Sequence, residues 1–174
     1  MRRMRFPGAV GALSTAWLLA ACARTSPAVP EAGPRVTSDA VEVGSVSLER
    51  GPCFGTCPVY TVTIDRTGAV RFEGRRFVAD SGESTGTVPP GQVDSLLAEL
   101  DAAGYWRFAD MYRMGEPTCS RYATDLPTVI TTVRLGTRTK RVEHDRGCAD
   151  APEALSALET RIDEVAGVSR WIGK

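Results

Sequence analysis

The chain has 174 residues, of which 43% are hydrophobic and 24% are charged, and this composition excludes collagen-like and fully disordered proteins. Basic and acidic residues number 21 each, so the chain lacks the positive charge typical of nucleic-acid-binding proteins and we expect no nucleic-acid partner. Outside the amino-terminal region no apolar stretch approaches the roughly 20 residues of a membrane-spanning helix, which excludes a protein with several spans.

Residues 1–21 are typical of a secretion signal. Three of the first five residues are arginines, and a short apolar run follows and ends in Leu19-Ala20-Ala21-Cys22. That ending resembles the lipobox of bacterial lipoproteins, which implies cleavage before Cys22 and acylation of its sulfur and its new amino group. A plain secretory signal with an incidental cysteine is the alternative, because an Ala-Ala site also suits ordinary cleavage.

The expected location follows from the lipid. Several acyl chains anchor a protein more firmly than one, at about 0.8 kcal/mol per buried methylene, so the predicted partner of Cys22 is the lipid bilayer. The residue after Cys22 is Ala23 rather than an aspartate, which resembles the signal for sorting to an outer membrane. In a host with two membranes the domain would then face the periplasm. Residues 22–44 are rich in proline and small residues, which predicts a disordered tether with roughly 25 Å between its ends. Residues 45–174 are then expected to form one domain.

In the first half of this domain, alternating apolar and polar residues predict three strands, around Val46–Leu48, Tyr60–Ile64 and Val70–Phe72. A weaker strand at Phe77–Ala79 comes before a polar loop at Gly82–Gly86. Apolar residues at helical spacing then predict a helix that begins after Pro89-Pro90 and ends at Gly104.

In the second half of the domain, the sequence predicts a hairpin followed by a helix. The hairpin covers Val129–His144 and turns at Gly136. Asp150 and Glu153 have the spacing of a capping box, and an apolar face from Leu155 to Val165 predicts the helix that follows.

The order of these elements indicates the fold class. No strand–helix–strand crossover is long enough to require a parallel sheet, so we predict an α+β fold in which two helices pack on one face of an antiparallel sheet. Each half has a hairpin followed by a helix, which suggests two ββα-like halves. Trp171 and Ile172 are too apolar for a loose tail and are expected to pack on the core.

Apart from Cys22 the chain has four cysteines, an even number that predicts two disulfides in an exported domain. Three pairings are open from the sequence alone. Gly55 permits the tight turn that would join Cys53 to Cys57, and we therefore favour this pairing together with Cys119 to Cys148.

Two other uses of the cysteines are weighed against disulfides. A zinc site made of all four would lack the paired short spacings of structural zinc sites, so no metal is predicted. A redox-active Cys53/Cys57 pair is the stronger alternative, because a small disulfide loop can be reducible. Pro58 then leads into a strand, so no helix dipole is expected there to lower the pKa of a thiol.

The segment that begins at Pro52 carries the most specific pattern of the domain. Its Cys-Phe-Gly-Thr-Cys-Pro-Val-Tyr sequence resembles the C-[FY]-G-x-C-P-x-Y signature of an uncharacterised bacterial domain family. Later matches extend the resemblance over most of residues 45–172, at Thr124–Pro127, Ala151–Leu155, Leu158-Glu159 and Ile162-Asp163. Members are exported, often as lipoproteins, and the family is known as a domain of unknown function. The resemblance supports the fold and the location and implies no activity or cofactor.

One pattern is similar to that of an enzyme. Gly82-Glu83-Ser84-Thr85-Gly86 matches G-x-S-x-G, and Asp125 and His144 follow in the order of an α/β-hydrolase triad. The motif requires a helix directly after the serine, and two prolines delay the helix here, so Ser84 is expected in a polar loop. His144 precedes Cys148 by four residues, and we expect a solvent-facing histidine there rather than a catalytic base.

Three further groups of polar or aromatic residues have a structural interpretation. Asp125 is a candidate for a ligand contact or, more commonly, for hydrogen bonds to the local backbone. A solvated basic strip is predicted on the second hairpin, at Arg138, Lys140 and Arg141. A contribution to the core is predicted for the aromatic group Tyr105, Trp106 and Phe108.

The predicted function is therefore that of a lipid-anchored envelope protein with a non-catalytic binding or structural-association domain, whose partner would be another envelope protein. No catalytic residue and no cofactor are predicted. The alternative is an envelope thiol–disulfide redox protein that uses Cys53 and Cys57.

Overall fold

A computed structural model describes residues 44–173. The predicted signal peptide, Cys22 and all but the last residue of the predicted tether lie outside the described residues. Within this described part, no helix is long and apolar enough to cross a membrane.

The elements in chain order are β1 (Gly44–Arg50), β2 (Val59–Asp65), β3 (Ala69–Arg76), β4 (Gly82–Thr87), α1 (Pro90–Ala102), a 3₁₀ turn (Tyr105–Arg107), β5 (Met111–Tyr112), β6 (Thr128–Leu135), β7 (Arg138–Asp145), α2 (Glu153–Ala166) and α3 (Ser169–Ile172).

The seven strands form one sheet in the order β4-β3-β2-β1-β6-β7-β5. Every pairing is antiparallel except the short parallel pairing of β5 with β7. The mixed α+β fold is thus confirmed. The ββα halves are not, because four strands precede α1 and three precede α2.

The core lies between one face of the sheet and the helices. Inward side chains alternate along the strands, as with Val46 and Leu48 of β1. Helix α2 contacts β1 and β2, and α1 packs against α2. Trp171 is buried and stacks on Phe72 with ring centroids 4.9 Å apart, so the carboxyl-terminal segment packs on the core as expected. Tyr105 is also buried, and its hydroxyl donates to the Thr131 carbonyl at 2.8 Å.

The fourth strand is not where the sequence predicts it. The chain turns away from the sheet at Phe77, whose φ of 55° is left-handed, and the strand is Gly82–Thr87 instead. The Asp80 carbonyl lies so close to Gly74 that a Cβ there would be 2.1 Å from it. The return of the chain beside β3 therefore depends on a glycine, which the alternation pattern does not reveal.

The segment from residue 113 to residue 127 has no strand or helix. Bonds to residues that follow β7 hold it in place. The Cys119–Cys148 disulfide, with Cα atoms 5.5 Å apart, ties it to the segment that follows β7. The Asp150 carboxylate accepts hydrogen bonds from Ser120 and Arg121, and these bonds hold the pKa of Asp150 well below its usual range. The predicted capping box is wrong, because Asp150 is used here and Pro152 stands at the start of α2.

Candidate binding site

A cavity of about 310 Å³ lies beside the end of β1. It is lined by Arg50, Gly51, Cys57, Pro58, Tyr60, Pro127, Arg146, Asp163 and Ile172. Five of these nine residues are apolar or small and four are polar, a mixture typical of ligand sites.

One side of the cavity is a hydrogen-bonded triad. Arg50 continues the inward alternation of β1 and is paired in register with Tyr60 of β2. The Arg50 Nε and Nη2 atoms lie 2.8 and 2.7 Å from Asp163 Oδ2, and the Tyr60 hydroxyl donates to Asp163 Oδ1 at 2.8 Å. Burial raises the pKa of Asp163, against the opposing effect of Arg50, and burial beside Asp163 raises the pKa of Tyr60. Both carboxylate oxygens of Asp163 are thus occupied.

Beneath the cavity lies a second ionic group centred on Glu159, which is 0% exposed. It stands one helical turn before Asp163, so both carboxylates lie on the same face of α2. Glu159 Oε1 is 2.7 Å from His144 Nδ1, and Oε2 accepts from Arg146 Nη1 at 3.2 Å. A buried carboxyl group is costly without such partners, so the contacts with His144 and Arg146 offset the burial of Glu159.

The rim of the cavity carries two exposed apolar side chains. The Cys53–Cys57 disulfide, with Cα atoms 5.8 Å apart, closes the loop that presents Phe54, which is 88% exposed. The Phe54 amide donates to the Asp125 carbonyl at 3.1 Å, and this bond joins the loop to the segment that presents exposed Leu126. The same two loops supply Cys57 and Pro127 to the cavity wall.

Asp125 lies near this rim but does not line the cavity. Its φ of 75° is left-handed, a conformation that aspartate tolerates better than most residues. Its carboxylate accepts from the Thr124 hydroxyl at 3.0 Å. The structure thus gives Asp125 a local role: it shapes the loop whose backbone accepts the hydrogen bond from the Phe54 amide.

The structure separates the residues of the hydrolase-like pattern. Ser84 lies on β4 and His144 on β7, five strand spacings apart, which is about 24 Å. The expectation of a solvent-facing histidine is also wrong, because His144 is buried against Glu159. Cys148 is bonded to Cys119 and offers no thiol for His144 to activate.

The basic strip of the second hairpin is engaged with neighbouring groups. Lys140 pairs with Asp110, and the Arg138 guanidinium lies 3.9 Å from the centre of the Trp106 ring. Within residues 44–173, no three histidine, cysteine or acidic side chains converge as a metal site would require.

The sequence interpretation missed the residues that make the site polar, above all Arg50 and Glu159. The signals are in the sequence. Arg50 occupies the next inward position after Val46 and Leu48, and Glu159 follows Leu155 by four residues, within the apolar face of its helix. A charged residue at an inward position indicates a buried ion pair.

The described residues thus form a mixed α+β domain with two disulfides and a partly polar cavity beside the end of β1. Residues 44–166 match DUF6438, a domain of unknown function, and the chain belongs to this family. A comparison with curated proteins found no match.

Proposed function

We propose that this chain is a lipid-anchored cell-envelope protein whose domain binds a partner or ligand, without catalysis, at the cavity beside the Cys53–Cys57 loop. The observation that carries the proposal is the buried ionic network behind the cavity. Buried ion pairs contribute little net stability compared with apolar packing, so the presence of Arg50 and Asp163 in the cavity wall, with Glu159 buried behind it, favours a role in recognition.

Two features of the wall favour binding over catalysis. Among the described residues that line the cavity, the only hydroxyl is that of Tyr60, which is committed to Asp163, and the only sulfur is that of Cys57, which is in a disulfide. Neither cysteine of the loop begins a helix, so a helix dipole does not favour a reactive thiolate there.

A photocrosslinking experiment tests the binding site. The full chain carries a photoreactive phenylalanine analogue at Phe54, at Leu126, or at Met114, which is exposed in the loop after β5 and serves as the control. We expect one captured species, either a protein or a small molecule, to be identified by mass spectrometry from positions 54 and 126 and not from position 114. The cavity lies between the two loops that carry the first two positions, which is the reason for this pattern.

Capture of the same set of species from all three positions, or of nothing from positions 54 and 126, would contradict the proposal.

The redox alternative is tested by a separate measurement. If Cys53 and Cys57 equilibrate with a thiol buffer above about −250 mV, in the range of catalytic disulfides, the thiol–disulfide function replaces the binding function.

The anchor and the location are proposed from the sequence around Cys22. We expect cells to incorporate radiolabelled palmitate into the wild-type chain, and the label to be lost in the Cys22→Ala variant, because acylation requires the cysteine sulfur. The variant should leave the membrane fraction, since one set of acyl chains is the whole anchor. Label that persists after Cys22→Ala would show that lipid is attached elsewhere or that the labelling is unspecific.

A further inference from the structure

Cationic side chains outnumber carboxylates among the residues that line the cavity. Three charged side chains reach it: Arg50, Arg146 and Asp163. The fourth ionic group, Glu159, is fully buried behind the wall and is already bonded to His144 and Arg146. A molecule in the cavity therefore meets two guanidinium groups and one carboxylate.

The hydrogen-bonding groups that remain available at the wall are mainly donors. Asp163 accepts on both oxygens, and the Tyr60 hydroxyl donates to it. By contrast, Arg50 uses Nε and Nη2, and Arg146 uses Nη1. Among the described residues, Arg50 Nη1 and the Nε and Nη2 atoms of Arg146 have no acceptor. The groups still available at the wall are thus donors on cations, and Arg146 keeps 35% of its side chain exposed to present them.

We infer that the cavity binds the carboxylate of a ligand that also carries an apolar group, with the carboxylate between Arg50 and Arg146. The inference rests on the proposed binding function and names the chemistry of its ligand. A guanidinium and a carboxylate match in planar geometry and form charge-assisted hydrogen bonds. The two guanidinium groups are already paired with Asp163 and Glu159, so a ligand with a single negative charge adds less uncompensated charge to the site than a phosphate dianion.

The apolar part of the wall and the volume of the cavity indicate the chemistry and size of the rest of the ligand. Pro58, Pro127 and Ile172 form an apolar surface beside the two arginines, and the disulfide loop that supplies Cys57 to the wall also carries exposed Phe54. The volume of about 310 Å³ is at the small end of ligand cavities. It suits a small organic acid or the last residue of a peptide, and both present the same carboxylate.

Binding is tested by titration of the full chain with benzoate, with a tripeptide that ends in phenylalanine, and with benzamide and the tripeptide amide as uncharged controls. We expect the two acids to bind at least about ten times more tightly than their amides. The acid that binds more tightly distinguishes a small molecule from a peptide end. Inorganic phosphate at the same ionic strength should not compete.

The position of the carboxylate is tested on the wild-type protein by NMR of ¹⁵N-labelled arginine. We expect the Nε–H signal of Arg146 to shift with either acid and to stay in place with either amide. Arg146→Gln should weaken acid binding about tenfold, and Arg161→Gln should leave it unchanged, since Arg161 pairs with Glu99 and Glu164 outside the cavity. The NMR measurement stands even if the Arg146→Gln variant does not fold.

The outcomes separate this inference from the proposed function. Equal affinity for acids and amides, or binding that leaves the signals of both guanidinium groups unmoved, overturns the carboxylate inference and leaves the cavity as a binding site. Absence of binding by any probe at millimolar concentration also overturns it, and the crosslinking pattern from Phe54 and Leu126 then decides the proposed function independently.

Discussion

Removal of the Cys119–Cys148 disulfide is expected to lower the free energy of unfolding by about 3.6 kcal/mol. This bond closes a loop with a sequence separation of 29, and the chain-entropy model assigns a loop of that length about this stabilisation. The bond also fastens the long segment between β5 and β6, which contains no strand or helix. The double variant Cys119→Ala, Cys148→Ala avoids leaving a free thiol, and urea unfolding of the oxidised protein gives the free energy.

The matched control is the other disulfide. Cys53 and Cys57 have a sequence separation of only 4, so the same model assigns their bond about 2 kcal/mol. We expect Cys53→Ala, Cys57→Ala to cost less than removal of the longer loop. If the two double variants lose equal stability, loop entropy does not explain the contribution of the Cys119–Cys148 bond.

Replacement of Glu159 with alanine is expected to cost about 3 kcal/mol of stability. Breaking a buried ion pair typically costs 3–5 kcal/mol because a charge is left unpaired. The lower end applies here, since Arg146 retains 35% side-chain exposure and is partly solvated after the loss of its partner. His144 is buried and loses the hydrogen-bond partner of its Nδ1 atom, which adds the cost of an unsatisfied polar group.

Glu164 provides the control on the same helix. Its side chain is 60% exposed, and it pairs with Arg161 one turn away, so Glu164→Ala should change the free energy of unfolding by less than about 0.5 kcal/mol. Urea unfolding at neutral pH measures both variants. A loss below about 1 kcal/mol for Glu159→Ala would show that the ionic network does not support the core.

Much of the fold follows from local patterns. The helices are predicted because apolar residues such as Leu155 and Val165 recur at helical spacing, and the strands because residues such as Val62 and Ile64 alternate with polar ones. The pattern does not predict β5, because two residues, Met111 and Tyr112, are too few to show a period. Nor does it predict the partner of each strand, since the pairing of β1 with β6 joins residues far apart in the chain.

The candidate site was harder to predict than the fold. The Cys-Phe-Gly-Thr-Cys signature indicates the loop at its rim, and Tyr60 belongs to the same signature. The ionic network depends on tertiary contacts between β1, the turn after β7 and α2, and a sequence pattern alone does not show which cation meets which carboxylate. Even so, the inward positions of Arg50 and Glu159 were visible as charges within apolar faces.

The central place of β1 in the sheet has a consequence for how the chain acquires its structure. The β1–β2–β3–β4 half can assemble as soon as its own residues are available, because its pairings are local, and the Cys53–Cys57 bond belongs to this half. The opposite edge of β1 stays unpaired until β6 arrives, and this late pairing slows the closing step. Until that pairing forms, β1 has an open edge, and an open edge is where a strand of another chain can pair wrongly.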